Sequence, residues 1–342
     1  MYKEYLDTVS VFETNGEVKP FGWSKEPIFF YNKINSSGSV FKRKESDTYI
    51  VHNNHLILTV TLANLGAYGF ISGFLIDLDV FKMGKKVVKK MLPFVKFRMP
   101  ESSHSGDVAY NDNQIGVKFS KAGSKRFLKC DFLDFYDSKN LYFNIEIDEN
   151  NAESMNVAIP FESNKTSFFV KRFLPQMKAT GLVRFGGSEY DLDNEKTSAT
   201  LIWERSSTPN KENYHQLVAE GYYNKKLITL QLCDGISDDS AGIENCLFID
   251  GKMRKLSKVK GKGRFSDVHS TWTFEDEERN IYIEFLPSNK NGGTLHTEID
   301  KRKIIYGNFY GHIFDEKGDV IKIDGFELDI KTHQIWIEGE EL

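Results

Sequence analysis

A two-residue alternation of apolar and polar side chains runs through most of the sequence. It is clearest at residues 141–148, and it recurs at residues 56–63 and 281–285. Successive side chains of an extended strand point to opposite faces, so each segment predicts a β-strand with one buried face. We count roughly twenty such short strands and no convincing helix, with residues 87–97 ambiguous. The sequence therefore predicts an all-β fold of the sandwich or barrel class, built from antiparallel strands.

Turn signals separate the predicted strands. The strongest is Asp250-Gly251, which lies between the apolar segment 246–249 and the basic segment 252–255. An Asp-Gly pair adopts the two positive φ angles of a tight hairpin turn at little cost. We therefore expect a β-hairpin centred on these two residues.

Composition restricts the classes of protein that these strands can build. The 342 residues are 40% hydrophobic and 27% charged, which is typical of a soluble globular protein, and 13% are aromatic. The net charge of −4 argues against a general nucleic-acid binder. Three scattered cysteines without a Cys-x-x-Cys motif indicate a reducing compartment. With no recognisable signal peptide and no apolar run long enough to span a membrane, we expect a cytoplasmic location.

The two halves of the chain resemble each other weakly. Residues 55–79 resemble residues 227–251, and residues 140–143 resemble residues 280–283. A duplicated β-unit of about 170 residues explains both likenesses, with about 33 extra residues in the first half. The alternative is that β-rich halves resemble each other by chance.

A boundary between two domains is predicted at residues 173–180. Pro175 interrupts the alternation there, as proline does at the end of a strand or at an irregularity. The predicted domains are an N-terminal barrel of residues 1–175 and a C-terminal barrel of residues 176–342.

Short motifs spread over nearly the whole chain resemble one bacterial protein family, called domain of unknown function 2804. They are Gly22-Trp23 with Pro27 and Tyr31-Asn32, Gly181-Leu182-Val183-Arg184, Trp203-Glu204-Arg205, the segment from Glu244-Asn245 to Asp250-Gly251, and residues 306–313. The resemblance implies two consecutive lipocalin-like barrels, similar to those of carotenoid hydratases, AttH-like proteins and lipocalin-type pericyclases. Those relatives handle lipophilic polyenes or lipids, some as enzymes and some as carriers.

Residues 201–205 (Leu-Ile-Trp-Glu-Arg) are the best candidate for chemistry. Trp203 and Arg205 can form an apolar wall beside a charge, which makes them candidate ligand-binding residues. A carboxylic acid inside an apolar barrel can protonate a polyene or hold a polar head group, so Glu204 is the candidate catalytic residue. The alternative is a surface Glu–Arg contact at a strand end. Where the family has Trp-Gly-Arg-Gly, this chain departs from it at Glu204 and Ser206.

Four further residues are candidate ligand-binding residues. Tyr214 and His215 follow a turn that contains Pro209, so they can lie on the strand next to Trp203. Tyr310 and His312 share one face of a later strand, because they are two residues apart. That face either lines a pocket or belongs to a half-buried core.

No motif for a metal or a nucleotide stands out. His52 and His55 bracket a predicted turn, but zinc needs a third and a fourth ligand, and none is evident. Residues 261–264 lack the spacing of a phosphate-binding loop, and residues 103–107 (Ser-His-Ser-Gly-Asp) are interpreted as a polar loop. We therefore expect no metal and no other cofactor.

Two Lys-rich segments, residues 82–90 and 251–264, are interpreted as solvated outer faces of strands. The alternative is attraction to an anionic membrane surface or to an anionic ligand. No aromatic residues alternate with these charges as a stacking platform, so nucleic acid is not expected as a partner.

Three functions remain open from the sequence. The first is a binding protein for a hydrophobic small molecule or lipid, held in a barrel cavity. The second is an acid–base enzyme, a hydratase, isomerase or cyclase, that acts on such a molecule. The third is an interaction module whose barrels are filled by side chains. A cavity without a buried carboxylate favours the first, a cavity with one favours the second, and a filled interior favours the third.

Overall fold

The structure of the chain is a computed structural model that divides into two compact units, Met1–Pro209 and Asn210–Leu342. It describes residues 3–80, 82–91, 98–149, 153–161, 164–193, 196–207, 214–223, 225–234, 244–264, 266–267, 269–290, 293–294, 296–299, 302–314, 320–323 and 334–340. The two units are described separately below.

The first unit contains the strands β1 to β16. They are β1 (Lys3–Glu4), β2 (Val9–Ser10), β3 (Gly22–Ser24), β4 (Phe29–Phe30), β5 (Lys44–His52), β6 (Leu56–Asn64), β7 (Tyr68–Asp77), β8 (Lys82–Met91), β9 (Val108–Asn111), β10 (Ile115–Ala122), β11 (Lys125–Tyr136), β12 (Lys139–Asp148), β13 (Met155–Phe161), β14 (Asn164–Phe185), β15 (Ser188–Asp191) and β16 (Ser198–Ser207).

The second unit contains the strands β17 to β29. They are β17 (Tyr214–Tyr223), β18 (Lys226–Asp234), β19 (Cys246–Ile249), β20 (Lys252–Lys255), β21 (Lys260–Lys262), β22 (Trp272–Glu275), β23 (Ile281–Pro287), β24 (Asn289–Lys290), β25 (Gly293–Thr294), β26 (His296–Ile299), β27 (Arg302–Phe314), β28 (Val320–Ile323) and β29 (Gln334–Glu340).

The all-β prediction is confirmed. Among the described residues the only helical element is a single 3-10 turn at Lys33–Asn35. All the strand pairs are antiparallel except two short ones, β1 with β3 and β2 with β4. The alternation at residues 141–148 is realised in β12, where Leu141, Phe143 and Ile145 are buried between exposed neighbours. Within the described ranges we find no helix with the length and apolar character needed to cross a membrane.

The main sheet of the first unit curls back on itself. Its strands follow the order β8-β7-β6-β5-β16-β14-β12-β11-β10-β9. Lys86 of β8 donates hydrogen bonds of 2.8 Å to the carbonyl oxygens of Leu133 and Asp134 in β11. These bonds join the β8 edge of the sheet to β11, so the inward faces enclose one core of apolar side chains, to which Phe132 and Trp203 belong.

Strand β14 is long because it takes part in two strand pairings in succession. Its first half pairs with β13, and its second half pairs with β12. The register with β16 shifts between Leu174 and Met177, where Gln176 has a φ of 59°. Pro175 therefore lies at an irregularity inside this strand, whereas the boundary between the two compact units falls after Pro209.

The main sheet of the second unit follows the order β20-β19-β18-β17-β29-β27-β23-β22-β21. The order matches that of the first unit over nine strands if β17 corresponds to β5 and β27 corresponds to β14, and β9 is then left without a counterpart. Trp272, Phe274 and Ile283 lie in its core. A common strand order is what a duplication would produce, and the duplication stays a prediction.

The hairpin predicted at Asp250-Gly251 is present. Strands β19 and β20 pair with Ile249 opposite Lys252, which leaves two residues in the loop. Their φ angles are 47° and 78°, the two positive values of a tight hairpin turn. Asp250 also accepts a hydrogen bond of 2.9 Å from the backbone N–H of Leu227, which ties the turn to β18.

Candidate functional site

A cleft of about 370 Å³ opens in the first unit, with β14 and β16 among its walls. Four aromatic residues, Phe29, Phe30, Tyr31 and Trp203, contribute to its lining. Its volume lies at the lower end of the roughly 300–1,000 Å³ that ligand pockets occupy. The cleft is therefore large enough for a small organic molecule.

Strand β16 carries the segment that the sequence singles out, and its alternation decides where each side chain points. Trp203 lies opposite Arg172 of β14 on one side and opposite Asp47 of β5 on the other. Opposed residues of antiparallel strands share a face, so these three residues lie on one face of the sheet. Arg205 follows Trp203 by two residues and lies on that same face. Glu204 lies on the opposite face.

Arg205 is completely buried, with 0% of its surface exposed. It donates hydrogen bonds to Asp47 Oδ1 at 2.9 Å, to the carbonyl oxygen of Ser46 at 2.8 Å and to that of Pro100 at 2.7 Å. Its guanidinium carbon lies 4.2 Å from the centre of the Trp203 ring. These partners replace water around the buried charge, so Arg205 acts as a structural support beneath Trp203.

The surface-contact alternative supposed that Glu204 pairs with Arg205, but no such ion pair is found among the described residues. The Glu204 carboxylate lies 3.5 Å from Nζ of Lys171, the residue opposite it on β14. Trp203 belongs to the described lining of the cleft, and Glu204 does not. The catalytic role of Glu204 stays a prediction, which this placement does not favour.

A second buried group of charges centres on Glu149. Its carboxylate lies 2.7 Å from Arg126 Nη2 and 2.8 Å from Arg172 Nη2, and it also binds Nζ of Lys121. Each of these four side chains is at most 9% exposed. One carboxylate faces three cations here, so the group carries an excess of positive charge.

This excess charge changes the protonation of two nearby groups. Burial raises the pKa of Glu149, but Arg172, Arg126 and Lys121 outweigh burial and hold the pKa below its ordinary value of 4.5. Burial, followed by the charge of Arg172, lowers the pKa of His104, which lines the cleft. At neutral pH the site therefore contains an ionised Glu149 and a neutral His104.

Residues 98–107 form a strap that covers these charges. The carbonyl oxygen of Ser103 accepts a hydrogen bond of 2.6 Å from Arg126, and that of Pro100 accepts the bond from Arg205. Two serines of the strap line both the cleft and a second cavity of about 10 Å³. The strap includes the segment that was predicted as a polar loop. The hydrogen bonds that hold the strap in place are accepted by its backbone carbonyl oxygens. The residue types of the strap therefore do not indicate these bonds.

The other predicted ligand-binding residues belong to the second unit. Tyr214 and His215 begin β17, and their side chains lie outside the described residues. Tyr310 of β27 is 37% exposed, and Nε2 of His312 lies 3.2 Å from the carbonyl oxygen of Arg279. Tyr310 and His312 are not among the described residues that line the cleft beside Trp203. The ligand-binding roles of all four residues stay predictions.

Sequence reasoning missed the charges that surround the cleft, although their positions carry a signal. Arg126 is in phase with the buried apolar residues of β11, and residues 126–132 read as one alternating strand face. Lys171 and Arg172 interrupt the apolar run 168–174 of β14. A charged residue at a buried position of an alternating strand needs a partner in the protein interior. That rule would have predicted both Arg126 and Arg172 as members of a buried charged group.

The fold is similar to that of several solved proteins. CghA, in its crystal structure with Sch210972, has a TM-score of 0.53 and 11% identity, with 87% of each chain covered. Kievitone hydratase from Nectria haematococca has a TM-score of 0.50 and 11% identity, with 90% of each chain covered. A putative AttH from Nitrosomonas europaea has a TM-score of 0.48 and 9% identity, with 87% of this chain and 92% of that chain covered. At such identities the first two likenesses establish a common fold and nothing more.

The chain belongs to the family described as domain of unknown function DUF2804, which matches residues 3–327. The resemblance seen in the sequence motifs is thereby confirmed. No curated protein matches the chain in sequence.

Proposed function

We propose that this protein binds a lipophilic small molecule in the cleft beside Trp203. The observation that carries the proposal is the lining itself, in which Phe29, Phe30 and Tyr31 lie with Trp203 around a cavity of about 370 Å³. Aromatic side chains contribute large apolar areas, and burying a ligand against them is favourable because it removes apolar surface from water. Phe30 is 56% exposed, so a ligand could cover surface that is otherwise open to solvent.

Binding is favoured over acid–base catalysis by the state of the nearby carboxylates. Glu149 is buried but is held ionised by its three cations, so it is a poor proton donor. Glu204 lies on the other face of β16 and pairs with Lys171. Neither residue is among the described residues that line the cleft, and a cavity without a buried carboxylate favours binding.

The proposal is tested by titrating the purified protein with lipophilic molecules and detecting the complexes by native mass spectrometry. The informative variant is Phe30→Asp, which places a charge in the lining at an exposed position. Phe41→Asp is the matched control, because Phe41 is also exposed, at 69%, and is not in the described lining. We expect at least one lipophile to bind the natural protein and the control, and to bind Phe30→Asp at least about tenfold more weakly. The proposal is wrong if no lipophile binds or if both variants bind equally.

A further inference from the structure

Arg172 is a buried side chain of the cleft with one poorly satisfied hydrogen-bond donor. It is 97% buried, since only 3% of its surface is exposed, and it lines the cleft. Its Nη2 binds Glu149 at 2.8 Å, and its Nε donates to Ser154 at 3.2 Å. Among the described residues, its Nη1 has two long contacts, 3.5 Å and 3.4 Å, to the carbonyl and hydroxyl oxygens of Ser103. Hydrogen bonds of N–H donors are usually 2.7–3.2 Å long, so Nη1 lacks a good acceptor.

Trp203, directly opposite Arg172 on the adjacent strand, offers a second donor to the same wall. The residue is 96% buried, with 4% exposed, and it lines the cleft. Among the described residues, no hydrogen-bond acceptor is found for its indole Nε1. A buried N–H without an acceptor costs free energy, so both donors would gain from an acceptor supplied by a ligand.

The charge around Arg172 favours an anionic acceptor. Glu149 is a single carboxylate shared by Arg172, Arg126 and Lys121. Its one negative charge leaves two positive charges in a buried region, where Coulomb interactions are stronger than in water. Ser103 offers Arg172 only neutral oxygens, which form weaker hydrogen bonds with a guanidinium than a carboxylate does.

The carboxylates of the lining do not cancel this excess. Glu26 and Glu101 also line the cleft, but Glu26 is exposed and Glu101 is 37% exposed. Water and salt screen exposed charges far more than buried ones. Glu101 also lies 4.0 Å from Lys33. The buried guanidinium therefore dominates the field on its side of the cleft.

We infer that the ligand of this cleft is an amphipathic carboxylate, whose oxygens bind Nη1 of Arg172 and the indole N–H of Trp203. Its apolar part lies along Phe29 and Phe30. The inference rests on the proposed function, because it specifies the chemical class of the lipophile that the cleft binds.

The test compares decanoate with decanamide, which have the same chain and a head group of the same shape but differ in charge. Isothermal titration calorimetry of the natural protein at pH 7.5 measures both dissociation constants. We expect decanoate to bind at least about tenfold more tightly, the size of one charge-assisted hydrogen bond. In Arg172→Gln this preference is expected to fall below about threefold, while the affinity for decanamide stays within about twofold of the natural value.

Arg184→Gln is the matched control, because Arg184 lies on the same strand, is exposed and pairs with Glu189 at 2.7 Å. It should keep the full preference for decanoate. If the natural protein binds decanoate and decanamide equally, the inference is wrong and the proposed function stands. If decanoate, decanamide and every other lipophile tested fail to bind, the proposed function is wrong and the inference is wrong with it. If Arg172→Gln does not fold, as judged by circular dichroism, the comparison in the natural protein still decides between these outcomes.

Discussion

The guanidinium carbon of Arg205 lies over the indole of Trp203, 4.2 Å from the ring centre, while Nη1 of Arg205 donates a hydrogen bond of 2.9 Å to Asp47 Oδ1. The two residues are neighbours on one face of β16, so a buried ion pair supports the ring that lines the cleft. Cation–π contacts of this kind are strongest when both partners are removed from water. The position of the cleft wall thus depends on a charge beneath it.

The first prediction concerns Arg205 and Glu204. Arg205→Met should lower the free energy of unfolding by roughly 3–5 kcal/mol, because it leaves Asp47 buried without its guanidinium partner. Glu204→Gln should cost less, about 1–2 kcal/mol, because the amide oxygen can still accept a hydrogen bond from Lys171. Urea denaturation of the two variants measures both values. Equal losses would contradict the opposite placement of the two side chains.

The second prediction uses tryptophan fluorescence to locate the ligand. Trp203 lies in the first compact unit and Trp272 lies in the second. A lipophile in the cleft should change the fluorescence of the natural protein and of Trp272→Phe, since the Trp272 ring is buried in the core of the second unit. In Trp203→Phe the change should be lost. A signal that persists in Trp203→Phe and disappears in Trp272→Phe would place the ligand elsewhere.

The third prediction concerns acid stability. The folded-state pKa of Glu149 is lowered, so its ion pairs stabilise the protein fully above its ordinary pKa of 4.5 and lose that effect as the pH falls through the folded value. Glu149→Gln should therefore cost roughly 3–5 kcal/mol at pH 7, because three buried cations lose their carboxylate. The difference from the natural protein should shrink below pH 4.5.

Urea denaturation of both proteins between pH 3 and pH 7 measures this difference directly. Glu189→Gln is the control, because Glu189 is exposed and its pair with Arg184 should contribute at most about 1 kcal/mol. A difference between Glu149→Gln and the natural protein that stayed constant with pH would show that Glu149 has no lowered pKa.

The fourth prediction distinguishes two reasons why a position in the second unit requires glycine, a positive φ angle and a lack of space for a side chain. A Cβ on Gly251 would meet no atom within 4 Å, so only its φ of 78° disfavours other residues. A Cβ on Gly263 would lie 2.0 Å from the ring of Trp272, which is fully buried. Gly251→Ala should cost about 1–2 kcal/mol, and Gly251→Asn should cost less, since asparagine tolerates positive φ. Gly263→Ala and Gly263→Asn should both destabilise by about 2 kcal/mol or more, measured by thermal denaturation.

The duplication is the fifth prediction. Residues 45–150 and 195–290 should superpose as equivalent strands, with the additional residues of the first half forming an added hairpin or loop. Strand β9, which has no counterpart in the sheet order of the second unit, lies in the region where we expect the insertion. A superposition of the coordinates that paired strands out of their common order would contradict the duplication.

The sequence by itself determined the local structure of this protein. Two local features show this: the two-residue alternation along β12 and the positive φ angles at Asp250-Gly251. Each depends on a few neighbouring residues, so it can be interpreted without knowing what packs against them. The family resemblance followed from motifs of the same local kind.

Only the tertiary structure decided where the charges lie and which of them meet. Asp47, Arg126, Glu149, Arg172 and Arg205 stand on four different strands and one adjoining loop, and no spacing in the sequence relates them. They meet because the pairing of β5, β16 and β14 and the curl of the sheet bring their faces to one side. Once buried, each charge needs a partner, since the cost of removing it from water depends on everything around it. That long-range requirement made Arg205 a support for Trp203 and placed Arg172 in the wall of the cleft.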